Sequence, residues 1–322
     1  MKKKVLITGV GGQDGYYLSK LLNTSDYEVH GISNCELQGL EFVNMIDCDI
    51  TNGEQVMNTV GDIKPDYIYN LASQSFIPQS WEDPIGTFNI NTCAVVNILE
   101  AIIKVDKGIR FFQASSAEVF GEPKESVQTE NTPFNPRNPY GVSKASAHML
   151  VRNYREKYNL HASNGIMYNH ESPRRGLSFV TKKITTAVNI ITGNLPNTIT
   201  NEYGERIIEE DGRLHIGNMD ALRDWGNAKD YVKAMKLITQ SDTPDDYIIA
   251  SGKLHSVKQL IDFAFKSVDI NNWMDYVIVD PRFYRENEKH TLCGDTTKIQ
   301  ERIGWKPELS FEETISDMVL NS

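Results

Sequence analysis

The sequence predicts an α/β fold: a doubly wound parallel sheet with a smaller C-terminal lobe seated over it to bind substrate. Three observations predict it. Up to about residue 168, short apolar runs alternate with amphipathic helical stretches, the pattern of a parallel sheet covered on both faces. A glycine-rich turn, Gly9-Val-Gly-Gly12-Gln-Asp-Gly15, joins the first run to the first helical stretch. From residue 169 onward the pieces are more irregular, which suits a lobe over the carboxyl ends of the strands, the ligand side of such sheets.

Each element follows in order. Lys4 to Thr8 reads as a buried strand, and Tyr16 to Leu22 has helical apolar spacing. Between them Gly9, Gly12 and Gly15 permit a tight turn and the approach of a pyrophosphate to the helix N-terminus, the device of a Rossmann dinucleotide site. Gln13 and Asp14 belong to the same turn. Tyr27 to Ile32 is a second strand, whose end normally reads the adenosine ribose: an acid there selects NAD and a nearby arginine NADP. Gly31-Ile-Ser33-Asn34 is neither, although Ser33 and Asn34 can donate to a 2′-phosphate. Phe42 to Cys48 is a third strand ending in Asp49-Ile50, where Asp49 either meets an adenine amino group or caps a helix over Gly53 to Val60. Tyr67 to Asn70 is a fourth strand, running into the small-residue turn Leu71-Ala72-Ser73-Gln-Ser75, able to pass beneath a cofactor. Pro84 to Ile103 is a long helix, Ile109 to Ala114 the fifth strand, Pro139 a helix start and Ala162 to Met167 a further strand.

These pieces make a dinucleotide-binding domain over 1–168, to which 226–252 returns a helix (Ala228 to Thr239) and a strand (Tyr247 to Ala250). The substrate lobe takes 169–225 and 253–322. It opens on Asn169-His-Glu-Ser-Pro-Arg-Arg-Gly176, where Arg174 and Arg175, beside a helix beginning near Phe179, either hold phosphates or form a surface ion-pair cluster. Ile207 to Ile216 reads as a hairpin around Asp211-Gly212. Val257 to Val268, Thr297 to Ile303 and Phe311 to Leu320 are helical, and Tyr276 to Val279 is a strand.

The 322 residues are 40% apolar and 24% charged, a soluble globular balance, and the net charge of −10 argues against nucleic acid or an anionic membrane as a general partner. Cys35, Cys48, Cys93 and Cys293 are scattered with no metal-ligand spacing, so no metal is expected and the thiols read as reduced and cytoplasmic. The apolar run after Met1-Lys-Lys-Lys is too short for a signal peptide, and no stretch is expected to span a membrane.

The chemistry concentrates in Gln113-Ala-Ser-Ser116-Ala-Glu118, at a strand end, and Tyr140-Gly-Val-Ser-Lys144, at a helix start. Tyr140 and Lys144, four apart, share a helix face, and an ammonium beside a phenol lowers its pKa and prepares it to take a proton from a hydroxyl. Ser116 offers a hydroxyl to the same oxygen. Glu118, two residues on in an extended segment, faces the same side and adds a carboxyl group that simple hydride transfer does not need. Separately, each has a plain reading: Tyr-x-x-x-Lys is common in helices, a Ser-Ser-Ala run after a strand is often a turn, and a glutamate is often solvated. Their order behind a nucleotide-binding start favours catalysis.

With these motifs in place, the chain resembles the extended short-chain dehydrogenases/reductases and, within them, the GDP-mannose 4,6-dehydratases. Thr8 to Gly15, Leu71 to Ser75, Gln113 to Glu118, Pro139 to Lys144, Asn169 to Gly176 and Arg223-Asp-Trp-Gly226 carry the resemblance nearly end to end. It implies a catalytic set of Ser116, Glu118, Tyr140 and Lys144, with serine for the family's threonine. It implies that Asn169, Val180, Lys183, Arg223, Arg285 and Glu288, with Ser75, Ser116 and Glu118, line a GDP-sugar site, and it puts His170 and Arg175 at the cofactor beside Tyr140 and Lys144. The expected cofactor is NADP, with NAD the alternative. The expected partners are a GDP-sugar and a second copy of the chain, as a dimer before a tetramer.

Three departures bear on this. Residues 33–40 lack the arginines that the family uses for the 2′-phosphate and for tetramer assembly; Thr198 to Gly212 reads as an insertion near the sugar nucleotide; and Glu286 follows Arg285 where the family has proline. Another GDP-hexose or GDP-heptose therefore stays open as substrate. The rivals are a 4-epimerase, which has no use for Glu118, and a nucleotide-binding redox regulator without catalysis.

Overall fold

The computed structural model describes residues 2–34, 38–284 and 291–321. Seven parallel strands form the central sheet in the order β3-β2-β1-β4-β5-β6-β10: β1 Lys3–Thr8, β2 Tyr27–Ile32, β3 Asn44–Met45, β4 Tyr67–Asn70, β5 Arg110–Ser116, β6 Ala162–Met167 and β10 Asp246–Ile249. Val5, Leu6 and Ile7 are all buried, because a sheet covered on both faces asks for apolar runs in place of alternation. One face carries α1 Gln13–Leu22, α8 Ala228–Gln240 and α10 Thr297–Ile303, and the other α2 Gly53–Ile63, α5 Ala94–Val105 and α6 Pro139–Tyr158.

Three expectations in this half are corrected. The third strand shrinks to β3, since at the sheet edge Val43, Cys48 and Ile50 reach the core without ladder bonds. The long helix from Pro84 is α4 Pro84–Phe88, a π-helical turn Asn89–Cys93 and then α5. Contrary to expectation, Pro84–Val105 is by length and composition apolar enough to cross a membrane, an 18-residue stretch of it having a mean hydropathy of 1.4. Here it is an interior helix between α2 and α6, with Val95, Ile98, Leu99 and Ile102 buried. A short helix unannounced by periodicity, α3 Ile77–Glu82, precedes it.

The lobe has its own core under α7 Val180–Ile191, α9 Val257–Lys266 and α11 Phe311–Leu320. Two small sheets face it: β11 Leu254–Ser256, β9 Leu222–Asn227 and β7 Asn169–Glu171 in one, and β12 Val277–Val279 with β8 Leu214–Ile216 in the other. The expected hairpin over 207–216 is not formed. Glu209 and Arg213 do close a turn, through Glu209 N–H to the Arg213 carbonyl at 2.9 Å, with Gly212 left-handed. But β8 pairs in parallel with β12, and Ile207, Ile208, Leu214 and Ile216 sink into the lobe core, which buries more apolar surface than a solvated hairpin would.

Candidate active site

Towards their carboxyl ends β1, β4 and β5 carry polar residues that satisfy one another beneath a cavity. Thr8 Oγ1 donates to Asn70 Oδ1 at 2.5 Å, Asn70 Nδ2 to Gln113 Oε1 at 2.8 Å and Gln113 Nε2 to the Ala114 carbonyl at 3.0 Å. Thr8 Oγ1 also accepts from the N–H groups of Leu71 and Ala72, which turns the chain after β4. The Ala114 carbonyl accepts a further bond, from Lys144 Nζ at 2.8 Å. Each group is buried, so each needs a partner.

Above this floor lies a cavity of about 360 Å³. Gly9, Gly12, Gln13, Asp14 and Gly15 line one end, with Leu71, Ser73 and Ser75 beside them. Ser116, Glu118, Tyr140 and Lys144 line its middle, and Asn169, His170, Arg175, Val180 and Arg223 the lobe side. The glycine turn fits a pyrophosphate. A Cβ on Gly15 would meet the Gly9 carbonyl at 2.4 Å, Gly9 is left-handed against Ala72, and Gly12 caps α1 without any side-chain bond, which leaves the first-turn N–H groups for a ligand.

Asp14 also stands in that first turn, and it is held in the lobe's grip: His170 Nε2 lies 2.9 Å from its Oδ2, while Gln13 Nε2 donates to the His170 carbonyl and Ser172 Oγ to Gln13 Oε1. Burial opposes the charge on both Asp14 and His170, yet their mutual attraction holds the carboxyl below, and the imidazole above, its ordinary value. The two adjacent arginines part company. Arg174 stacks on Tyr16 at 4.0 Å, whereas Arg175 enters the cavity, 3.7 Å over Phe179 and 3.4 Å from Glu171, and its Nε has no hydrogen-bond partner among the described residues.

Glu118 reaches the cavity by a different route from the one expected. Residues 117–119 form a 3₁₀ turn, not an extended segment, and Ser116 Oγ caps it by accepting from Glu118 N–H at 3.2 Å. Asn138 does two jobs: its Oδ1 caps α6 by accepting from Gly141 N–H, and its Nδ2 donates to Glu118 Oε2 at 3.0 Å. Gly141 admits this contact, since a Cβ there would meet the Glu118 carbonyl at 2.7 Å. Asn138 escaped the sequence reading, although an Asn before a helix-starting proline is a capping signal. So did Asn91, buried in the π-helical turn, which bonds Ser73, Gln74 and Ser143 together. No local pattern announces it.

The expected lowering of the Tyr140 pKa is corrected. Burial pushes the phenol up to about 12; the Ser116 hydroxyl and the Arg175 guanidinium act against this, and the carboxylates of Glu118 and Asp14 with it. Lys144, itself pushed down to about 8 by burial, spends a proton on the Ala114 carbonyl and lies 5.9 Å from the Tyr140 ring centroid. Spacing along a helix shows a neighbour but not how much water the fold removes.

Several sequence-predicted residues do not line this cavity. Ser33, Asp49 and Ile50 lie beyond it at the β2–α2 edge, Ala72 backs Gly9, and Lys183 lines a second cavity. Arg285, Glu288 and the neighbouring Glu286 fall outside the described residues, as does Cys35. Asp49 is exposed and accepts from Thr51 N–H and Oγ1; the helix cap is Asn52, which accepts from Glu54 and Gln55 N–H. Conversely, Phe76, Ile77 and Pro78, Phe179 and Trp225 line the cavity without having been singled out. Thr198 to Gly212 touches the rim: Tyr203 stacks on Phe76 at 4.9 Å, and Glu202 accepts from Leu177 and Ser178 N–H at 2.7 and 2.8 Å.

Known proteins resemble this chain over nearly its whole length. Among solved structures, UDP-glucose 4-epimerase from Thermotoga maritima superposes with a TM-score of 0.83 at 22% identity, covering 98% of this chain and 97% of the epimerase, a likeness of fold. GDP-mannose 4,6-dehydratase of Vibrio cholerae is 37% identical over 99% of this chain and 94% of its own length. GDP-mannose 4,6 dehydratase 1 of Arabidopsis thaliana is 40% identical over 99% of this chain and 89% of its own. The family model described as GDP-mannose 4,6 dehydratase matches residues 6–318, and the chain therefore belongs to the GDP-mannose 4,6-dehydratase family.

Proposed function

We propose that the protein removes water from GDP-mannose to give GDP-4-keto-6-deoxymannose, with NADP held along the glycine turn. The observation that carries the reading is Glu118: a carboxyl group anchored by Asn138 in the same cavity as Ser116 and Tyr140. Gly9, Gly12, Gln13 and Gly15 would hold the pyrophosphate, and Tyr140 and Lys144 the nicotinamide end. A bound nicotinamide supplies the reversible hydride store of the cycle.

The chain's own residues move the protons. Tyr140 takes the proton of the 4-hydroxyl, and Ser116 holds the 4-oxygen in place. The resulting ketone acidifies the hydrogen on carbon 5, which Glu118 removes before giving a proton to the departing 6-hydroxyl. As carbon 6 regains the stored hydride, carbon 5 takes back a proton from Tyr140, and the sugar is left as the 4-keto-6-deoxy product. Tyr140 as found, held near 12, needs a further positive charge at the nicotinamide end to become a base at neutral pH, and Arg175 already acts in that direction.

NADP is preferred to NAD because β2 ends in neutral Ser33-Asn34, where an NAD site places a carboxylate. Denaturing the purified protein and identifying the released nucleotide tests this; NAD alone overturns it. A cytoplasmic setting fits the free thiols of Cys48, Cys93 and Cys293. A homodimer is supported by exposed Trp81, Ile85, Val142 and Met149 on the neighbouring helices α3, α4 and α6, and light scattering reads it directly.

The deciding experiment compares wild type with Glu118→Gln on GDP-mannose. Wild type should release a product lighter by one water and, in deuterated water, labelled at carbon 5. Glu118→Gln should still reduce the nicotinamide in a single turnover and then stall. A product of unchanged mass would make the protein an epimerase, and normal dehydration by Glu118→Gln would remove the carboxylate from the mechanism.

A further inference from the structure

The first turn of α7 looks two ways. Val180 lines the catalytic cavity, and Lys183, one turn on, lines a second cavity of about 690 Å³ whose other walls come from residues 201–211, His215 and Arg282-Phe283. His215 joins these pieces. Its Nδ1 lies 2.9 Å from Asp280 Oδ2, just past β12, and its Nε2 lies 3.0 Å from Asp211 Oδ2, in the turn before β8. Its backbone carbonyl accepts from Lys183 Nζ at 3.1 Å, and that ammonium sits 4.1 Å over the Phe283 ring.

Other charges face the same ring. Arg282 pairs with Asp280 at 2.6 Å and approaches His215 Nδ1 at 3.5 Å; Glu209 lies 4.0 Å from Arg282; Arg213 pairs with Asp211 at 3.3 Å. Both arginines are opposed by carboxylates and Lys183 is held by the backbone carbonyl, so the imidazole nitrogens face two anions. Only the imidazolium carries N–H donors on both nitrogens; the neutral ring must turn a lone pair towards one carboxylate.

We propose that His215 is a positioning residue of the sugar-nucleotide site: as the imidazolium it ties the 201–213 turn to Asp280, and so holds Lys183 and the rim of the cavity in place for the nucleotide end of a GDP-sugar. The inference rests on the reading given above. The turn reaches the catalytic cavity as well, through Glu202 on the Leu177 and Ser178 N–H groups and Tyr203 on Phe76. Hydrogen bonds to Asp280 and Asp211 push the His215 pKa up from its ordinary value. The tie is therefore complete below about 6.5 and is lost as pH rises through the raised value.

The test measures the Kd of GDP for wild type and for His215→Gln from about pH 6 to 9, in the range where histidine titrates. The ratio of the two constants is read, so that titration of GDP's own phosphate cancels. It should stand at about two- to tenfold at the acid end, the worth of a hydrogen bond, and fall towards one at the alkaline end. Amide exchange of 201–213, measured relative to β5, should quicken with pH in wild type and be fast throughout in His215→Gln. A ratio that does not change with pH, or exchange of 201–213 that tracks β5 in wild type, overturns the role while leaving GDP binding intact. Failure of wild type to bind GDP at any pH overturns the sugar-nucleotide reading, and this role with it.

Discussion

The floor and the outer wall of the catalytic cavity are built differently. The floor comes from one sheet and the helix beside it: Thr8, Asn70 and Gln113 on β1, β4 and β5 are buried and bonded in a chain, and Lys144 on α6 is tied to the same sheet through the Ala114 carbonyl. The wall, and the second cavity behind it, come from loops and short strands held by polar groups paired between segments, as in Glu202 on 177–178 at the rim and Asp211–His215–Asp280 at the second cavity. A floor of this kind is rigid and suits groups that must meet reacting atoms. A wall of this kind opens at low cost and suits a ligand that must enter and leave.

Substitutions should therefore divide, with floor changes acting on kcat and wall changes on KM. The largest effect is expected at Tyr140. Tyr140→Phe should lower kcat by roughly 10²–10⁴-fold, the usual worth of a proton-transfer group, while cofactor binding by fluorescence stays near wild type. A mutant retaining more than about a hundredth of the rate would take the phenol out of the chemistry.

Next comes the far edge of the sheet, where Asp246 on β10 accepts from Arg155 at 2.9 and 3.1 Å and from Asn164 at 2.8 Å, with His148 at 3.3 Å. Asp246→Ala strands a buried cation and should cost about 3–5 kcal/mol in urea unfolding. Burial acts to raise this carboxyl's pKa, but the bonds from His148 and Arg155 prevail and hold it far below its ordinary value. Its contribution is thus fully present above about pH 4 and is lost as pH falls towards the depressed pKa. The gap between wild type and Asp246→Asn should close in acid, and a gap that widens there would contradict the ion-pair account.

A smaller effect tests the wall. Tyr203→Ala removes the stack on Phe76, worth about 0.5–1.5 kcal/mol, so KM for GDP-mannose should rise between about twofold and tenfold with kcat unchanged. A fall in kcat instead would mean that floor and wall are coupled. The smallest effects are at helix caps. Asn52→Ala on α2 and Ser310→Ala on α11 should each cost about 1 kcal/mol by thermal melting. Only the second, under the lobe, should also speed exchange at the rim.

Much of this was legible in the chain. The parallel sheet, the glycine turn and most helices follow from patterns that are local: apolar runs, a 3.6-residue period, glycine at a tight corner. Tyr27–Ile32, Tyr67–Asn70, Ala162–Met167, Thr297–Ile303 and Phe311–Leu320 stand where the sequence puts them, since each buries a face that its own residues define. What tertiary structure alone decided is whatever depends on distant neighbours. Leu214 to Ile216 pairs with β12 instead of with 207–209, because the lobe core competes for the same side chains. Arg174 goes to Tyr16 while Arg175 goes to the cavity, and Asn138 and Asn91 acquire partners 20 and 52 residues away. Burial moves Tyr140 up and Lys144 down, against what their spacing alone suggests. A sequence names the charge and the period, but desolvation and pairing belong to atoms that only the fold brings together.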